Sequence, residues 1–180
     1  MIDSKVIVHC PRLVLIAGSG RNVGKTFLAE HFIHELSQSN SVIGLKISSH
    51  MHVLNDDIIV KAGDGINWII GIEQNRNSRK DSGRLLKAGA RQVIYAQIKT
   101  DQYLQEVINW LKAVLLNDEI VVCESAALGQ YIEPGYAFFV SDANAGKQCR
   151  WDFNYTRVES KNQTLINPPL IRWNQNSWSI

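Results

Sequence analysis

The stretch that most restricts what this chain can fold into is Leu13-Val-Leu-Ile-Ala17, five apolar residues running without a break into Gly18. Such a run is the pattern of a strand buried on both faces, as a parallel sheet requires, and it predicts a central strand. From Thr26 the apolar positions Ala29, Phe32, Ile33 and Leu36 keep the i, i+3, i+4, i+7 spacing of a helix with one buried face, ending near Ser39-Asn40. Strand, glycine-rich turn and helix therefore follow one another in that order.

The alternation continues along the chain. Ser41 to Ile47 reads as a second strand, and 48–77 as a loop followed by short strands around Ile58-Ile-Val60 and Trp68-Ile-Ile70. Ser78 to Ala88 reads as a helix stopped by Gly89, Val93 to Ala96 as a short strand, and Tyr103 to Asn117 as a helix with a clean apolar stripe. Ile120 to Cys123 is a buried strand ending at Glu124-Ser125, and Tyr136 to Val140 is a further one. Strands alternating with helices predict an α/β fold in three layers, α/β/α, with a mostly parallel central sheet and helices on both faces. Cys149 to Tyr155 alternates apolar and polar residues, which predicts a half-buried strand with Trp151 facing inward. The tail beyond it, rich in Asn and Gln with Pro168-Pro169, reads as irregular, and its Trp173 and Trp178 are candidates to stack on a base or to anchor a partner, an intersubunit contact included. At 180 residues the chain predicts one domain, with a core over about 12–141 and a C-terminal strand and tail over 142–180.

The turn itself, Gly18-Ser-Gly-Arg-Asn-Val-Gly-Lys-Thr26, has the composition of a phosphate-binding loop, or P-loop. Backbone N–H groups can converge on phosphate oxygens only where no side chain blocks the approach, or where φ is positive, and glycine satisfies both. Lys25 brings a cation to the β and γ phosphates. Thr26, at the helix start, offers its hydroxyl to magnesium, and the helix N-terminus adds the positive end of its dipole. The predicted phosphate contacts are therefore Gly18, Ser19, Gly20, Arg21, Asn22, Val23, Gly24, Lys25, Thr26 and Phe27, with GTP or ATP and Mg2+ as ligands. The pattern departs from GxxxxGK(S/T): Ser19 stands where that spacing puts glycine, and counting from Gly18 the loop is longer by one residue.

A nucleotide-bound magnesium is commonly also held by a carboxylate at the C-terminal end of a neighbouring parallel strand. Glu124 occupies that place, so Thr26 and Glu124 are the predicted metal residues, and Lys25 and Glu124 the predicted catalytic ones, Glu124 also being able to polarise a water. Lys46, His50 and His52 fall near the end of the second strand, at the mouth of such a site, but no third metal ligand accompanies the histidines. Asp56 and Asp57 read as loop acids that could reach magnesium. Lys80 and Arg84 suit either a phosphate or an anionic second substrate, in a helix that Asp81 and Ser82 begin.

The loop spacing resembles that of the dethiobiotin synthetase and cobyric acid synthase families, G-x-x-x-x-x-G-K-(S/T). Lys80-Asp-Ser-Gly-Arg-Leu-Leu-Lys-Ala-Gly-Ala90 is similar to the signature of the molybdopterin-guanine dinucleotide biosynthesis protein B family, as is the segment from Lys46 to His52. Glu124 matches that family's acidic residue after a later strand, although Ser125 follows it where glycine is common. The resemblance covers 12 to about 140. It implies a P-loop GTPase-like fold, GTP with magnesium, slow hydrolysis, a homodimer, and a supporting role beside the enzymes of molybdenum cofactor biosynthesis. The dethiobiotin synthetase likeness implies instead an ATP-dependent ligase, with Lys46 and Arg84 on the acceptor. A third reading is a non-catalytic dimer module.

Composition excludes other classes. No apolar run approaches the eighteen or more residues of a membrane span, and the N-terminal stretch, interrupted by Asp3, Lys5 and His9, predicts no signal peptide. Cys10, Cys123 and Cys149 form no CxxC pair and read as reduced cytoplasmic thiols. A net charge of +2 with dispersed Lys and Arg predicts no nucleic-acid binding. No Asn-Lys-x-Asp guanine reader is present; Asn167-Pro168 and the Asp142–Asn144 turn are the candidates for reading the base.

Overall fold

The structure, a computed structural model, describes residues 8–142, 147–161 and 164–180. Asp3 and Lys5, used in the signal-peptide reading, lie outside these residues, as does Asn144 of the candidate base-reading turn.

The apolar run near the start becomes strand β1, Val8–Gly18, and the helical stripe becomes α1, Lys25–Ser37. There follow β2 (Val42–Ser48), β3 (Ile58–Gly63), β4 (Trp68–Glu73), α2 (Asp81–Lys87), β5 (Gln92–Ile98) and α3 (Leu104–Leu115). Next come β6 (Ile120–Glu124), β7 (Ile132–Asp142), β8 (Thr156–Lys161) and β9 (Thr164–Leu165), and the chain closes with β10 (Arg172–Asn174) and β11 (Ser177–Ser179). Nine strands form one sheet in the order β3-β4-β5-β2-β6-β1-β7-β8-β9. Pairings from β5 through β8 are parallel; β3 with β4, β4 with β5, and β8 with β9 are antiparallel. The molecule is thus α/β on a mixed, mostly parallel sheet, with β1 in its interior.

Alternation along β1 sorts the core. Leu13, Leu15 and Ala17 join one apolar cluster, and Val14 and Ile16 join the other. Leu28, Phe32 and Ile33 of α1 and Leu85 of α2 pack into the second cluster, while Leu104, Val107 and Leu111 of α3 pack into the first. Two helices therefore cover one face and one helix the other, and irregular chain completes the cover.

That irregular chain corrects two expectations. Residues 147–155 form no strand: Trp151 is buried and Phe153 half-buried as the alternation predicted, but they stack on each other, ring centroids 5.1 Å apart and 10° from parallel, without joining a ladder. Trp151 lies over Gly129, where a Cβ would come within 2.2 Å of the indole. The polar tail, in turn, is not irregular throughout, since β10 and β11 pair as an antiparallel hairpin. Its Trp173 and Trp178 pack ring to ring at 4.7 Å, and the Trp178 indole N–H donates to the Pro11 carbonyl at 2.7 Å. These two residues fasten the hairpin to its own chain, where a pair of large apolar rings gains more by mutual burial than by standing in water.

Candidate functional site

Parallel strands end together on one side of a sheet, and their following loops build a crevice there. The ends of β1, β2, β5 and β6, with the segment after β7, enclose a cavity of about 900 Å³.

The turn from β1 into α1 forms one wall. Asn22 and Gly24 take positive φ, 56° and 98°, and Gly24 is the residue from which α1 starts. No side chain caps α1 and its first turn carries no acid, so its leading N–H groups stay available at the cavity. Gly18 allows the close approach of β1 to its neighbours: a Cβ there would meet the Val140 carbonyl and Val23 Cγ2 at 2.8 Å. Two predicted contacts face elsewhere. Val23 packs in the core, and the buried Ser19 is stitched to β7, its N–H donating to the Val140 carbonyl at 2.9 Å and its Oγ accepting from Asp142 N–H at 3.1 Å. The Ser19 amide is spent inside the sheet and is not offered to the cavity. Gly18, Gly20, Arg21, Asn22, Gly24, Lys25, Thr26 and the half-exposed Phe27 all line it.

Opposite the turn stands a cluster of charge. Glu124, buried at the end of β6, accepts from Thr26 Oγ1 at 2.8 Å and from Lys46 Nζ at 2.5 Å, one bond on each oxygen. Lys46 Nζ also lies 3.0 Å from Asp81 Oδ2. Burial opposes the charge on Lys46, but Glu124 and Asp81 outweigh it and raise the pKa; burial likewise opposes charge on Asp81, and Lys46, Arg84 and the Thr26 hydroxyl outweigh it and lower the pKa. Lys25 Nζ folds over the loop to donate to the Gly20 carbonyl at 2.5 Å. Its pKa is lowered, first by burial and then by the neighbouring ammonium groups of Lys46 and Lys147, against the pull of Glu124 and Asp81.

Other candidates are placed differently. Arg84 lines the cavity, but Glu30 of α1 takes its guanidinium in a two-pronged pair at 2.9 and 2.6 Å. Lys80 lines the cavity without such a partner among the described residues. Asp57 accepts from the Asn75 side chain at 3.1 Å, in the turn region bounding β3 and β4, and neither it nor Asp56 lines the cavity. Asp57 is taken up by the side chains of Asn55 and Asn75, although Asn55 and Ile58 on either side of the two acids do line the cavity. His50 and His52 do line the cavity, with ring centroids 6.2 Å apart, and no group of three or more metal-ligating residues occurs among the described residues.

Two cavity residues had no assigned role in the sequence. Asp81 was legible as the first residue of a helix, yet its approach to Thr26 and Lys46 depends on how α2 docks. Lys147 lines the cavity and its N–H donates to the Ser19 carbonyl at 3.1 Å, pinning it beside the loop; it lies in irregular chain with no motif around it.

Together these groups offer free amides and spare cations to an oxyanion chain, and a hydroxyl and two carboxylates to a hard cation. No family model, curated protein or solved structure matches the chain.

Proposed function

We propose that the chain is a P-loop nucleoside-triphosphate-binding protein that hydrolyses GTP or ATP slowly with magnesium. The supporting observation is the pairing across the crevice: an uncapped helix start carrying Lys25 and Thr26 faces the buried Glu124, which accepts from Thr26 itself. Hydroxyl and carboxylate oxygens suit magnesium, and Thr26, Glu124 and Asp81 are the residues to hold it. When bound, the ion supplies neutralisation of the charge that develops on the phosphates.

The chain's own residues do the rest. The amides from Gly20 to Lys25 and the dipole of α1 cradle the β and γ phosphates, and Lys25, whose charge is disfavoured by burial and then by neighbouring cations, gains from anion contact. Lys147 approaches the same oxygens from the segment after β7. Glu124 orients and polarises the attacking water. Arg84 is held by Glu30 and Arg150 by Asp101, so neither is free to act as an arginine finger; Arg21 of the loop is the remaining candidate, and it is turned to His50, which supports slow turnover.

The likeness of Lys80–Ala90 and Lys46–His52 to the molybdopterin-guanine dinucleotide biosynthesis protein B family extends the proposal. On that reading the chain adopts the three-layer P-loop arrangement, acts in the cytoplasm as a homodimer, and assists a molybdenum cofactor biosynthesis protein. The absence of any helix long and apolar enough to cross a membrane, among the described residues, is compatible with it.

Calorimetric titration with GTP and with ATP, each with magnesium, tests the reading. One of the two binds the wild-type protein, and Lys25→Ala loses at least roughly a hundredfold in affinity, the worth of one or two charge-assisted contacts, with an unchanged circular dichroism spectrum. Undiminished affinity in that variant refutes the site.

A further inference from the structure

The cavity holds more positive charge than a triphosphate engages. Three of its cations already have carboxylate partners: Lys46 with Glu124 and Asp81, Arg84 with Glu30, and Arg150 with Asp101. Lys25 belongs to the phosphate loop, and Lys147 is pinned beside it. Arg21 and Lys80 make no salt bridge among the described residues, and of the two Arg21 is the one held against the β2 loop, its Nη2 lying 2.5 Å from His50 Nε2. A guanidinium can only donate, so His50 Nε2 accepts and the ring keeps its proton on Nδ1, leaving the arginine charge uncompensated.

His50 and His52 sit on a loop that the sheet holds in place. Gln97, 1% exposed at the end of β5, accepts the His52 N–H on its Oε1 at 2.7 Å, and the Ser48 hydroxyl donates to the His50 carbonyl at 3.1 Å. In the sheet order β2 separates β5 from β6, so these groups lie across Lys46 from Glu124 and the helix start. The lining there turns apolar, with Leu54, Tyr95 and Ile98. A volume of about 900 Å³ is near the top of the ~300–1,000 Å³ range of ligand sites, leaving space beyond the phosphate anchors.

We propose that the β2–β5 side of the cavity is a second subsite, binding a small molecule that bears a carboxylate or a phosphate monoester on an apolar body, beside the nucleotide. Arg21 grips two of its oxygens, His50 and His52 flank the oxyanion, and Leu54 and Ile98 carry the apolar part. The subsite rests on the nucleotide reading for its neighbour, not for its own contacts. It also replaces Lys46 and Arg84 as the acceptor-binding pair, since both are held by carboxylates.

Phenyl phosphate and benzoate are the probes. Protein saturated with magnesium and a non-hydrolysable GTP or ATP analogue is titrated with each, for wild type, His50→Ala and His52→Ala. At least one probe binds, and each replacement weakens it at least about fivefold, the size of one lost hydrogen bond, with nucleotide affinity unchanged. Tighter binding of phenyl phosphate assigns a phosphate monoester; tighter binding of benzoate assigns a carboxylate. Failure of both probes to bind, equal affinity in all three proteins, or displacement of the probe by nucleotide overturns the subsite. If neither nucleotide analogue binds wild type, the nucleotide reading falls by itself, and the same probes on nucleotide-free protein decide the subsite by the same histidine dependence.

Discussion

Lys46 stands between two carboxylates in a corner that little water reaches, and both of its partners belong to other elements. The folded pKa of Asp81 lies below its ordinary 3.8, so its pairing contributes stability above that pH and loses it as pH falls through the lower folded value. Lys46 is raised above its ordinary 10.5, so its share is present below that pH and fades only as alkali exceeds the folded value. Between these limits Asp81 and Lys46 are both charged. Thermal melts from pH 5 down to pH 2 therefore separate wild type from Asp81→Asn: wild type is the more stable at pH 5, and the difference closes in acid. A gap that stays constant would show that the Asp81 charge contributes nothing. Lys147 makes its prediction through binding. Lys147→Ala lowers triphosphate affinity roughly tenfold by calorimetry, the scale of one charge-assisted contact, and leaves the melting temperature near that of wild type.

At the scale of elements, the phosphate-loop wall depends on how β1 and β7 lie together. Their parallel register shifts between Cys10 and Val14, and Gly135 of β7 sits within that shift. A Cβ at Gly135 would fall 1.8 Å from the Pro11 carbonyl oxygen, and backbone cannot step aside as a side-chain tip can. The same carbonyl receives the Trp178 indole N–H, so the clash reaches the C-terminal hairpin as well. Gly135→Ala is expected to cost at least ~1–3 kcal/mol in urea denaturation, the scale of overpacking in a tight interior. A change below about 0.5 kcal/mol, the ordinary scatter of surface substitutions, would show that the strands part without penalty. By contrast α1 needs no such device: five of its residues, Leu28, Ala29, Phe32, Ile33 and Leu36, are buried, and packing holds it although no side chain caps it.

For the molecule as a whole, the helices are too few to cover both faces of a nine-stranded sheet, and the chain beyond β7 supplies the remainder. Ile171 is 2% exposed, and the half-buried Trp173 and Trp178 pack on the α1 face. Deleting 171–180 is expected to lower stability by ~2–4 kcal/mol in urea denaturation, from one fully buried side chain at ~1.5–3 kcal/mol and two partly buried indoles. Retention of wild-type stability would make the hairpin an ornament of the fold. The sequence by itself determined β1, α1, β2, α3 and β6, because their apolar periods are local and decisive, and it determined the loop that carries Lys25 and Thr26 and the acid at the end of β6. Only the tertiary structure decided that Ser19 faces β7, that Asp81 meets Thr26, that Glu30 occupies Arg84, and that Lys147 reaches the loop. Those facts rest on contacts between residues far apart in the chain, and no period or spacing records them. The same holds for 147–155 and the tail. In 147–155 alternation marked Trp151 and Phe153 as inward-facing but not Tyr155, which is exposed, and a strand needs a partner edge at the right distance, which only the folded sheet determines.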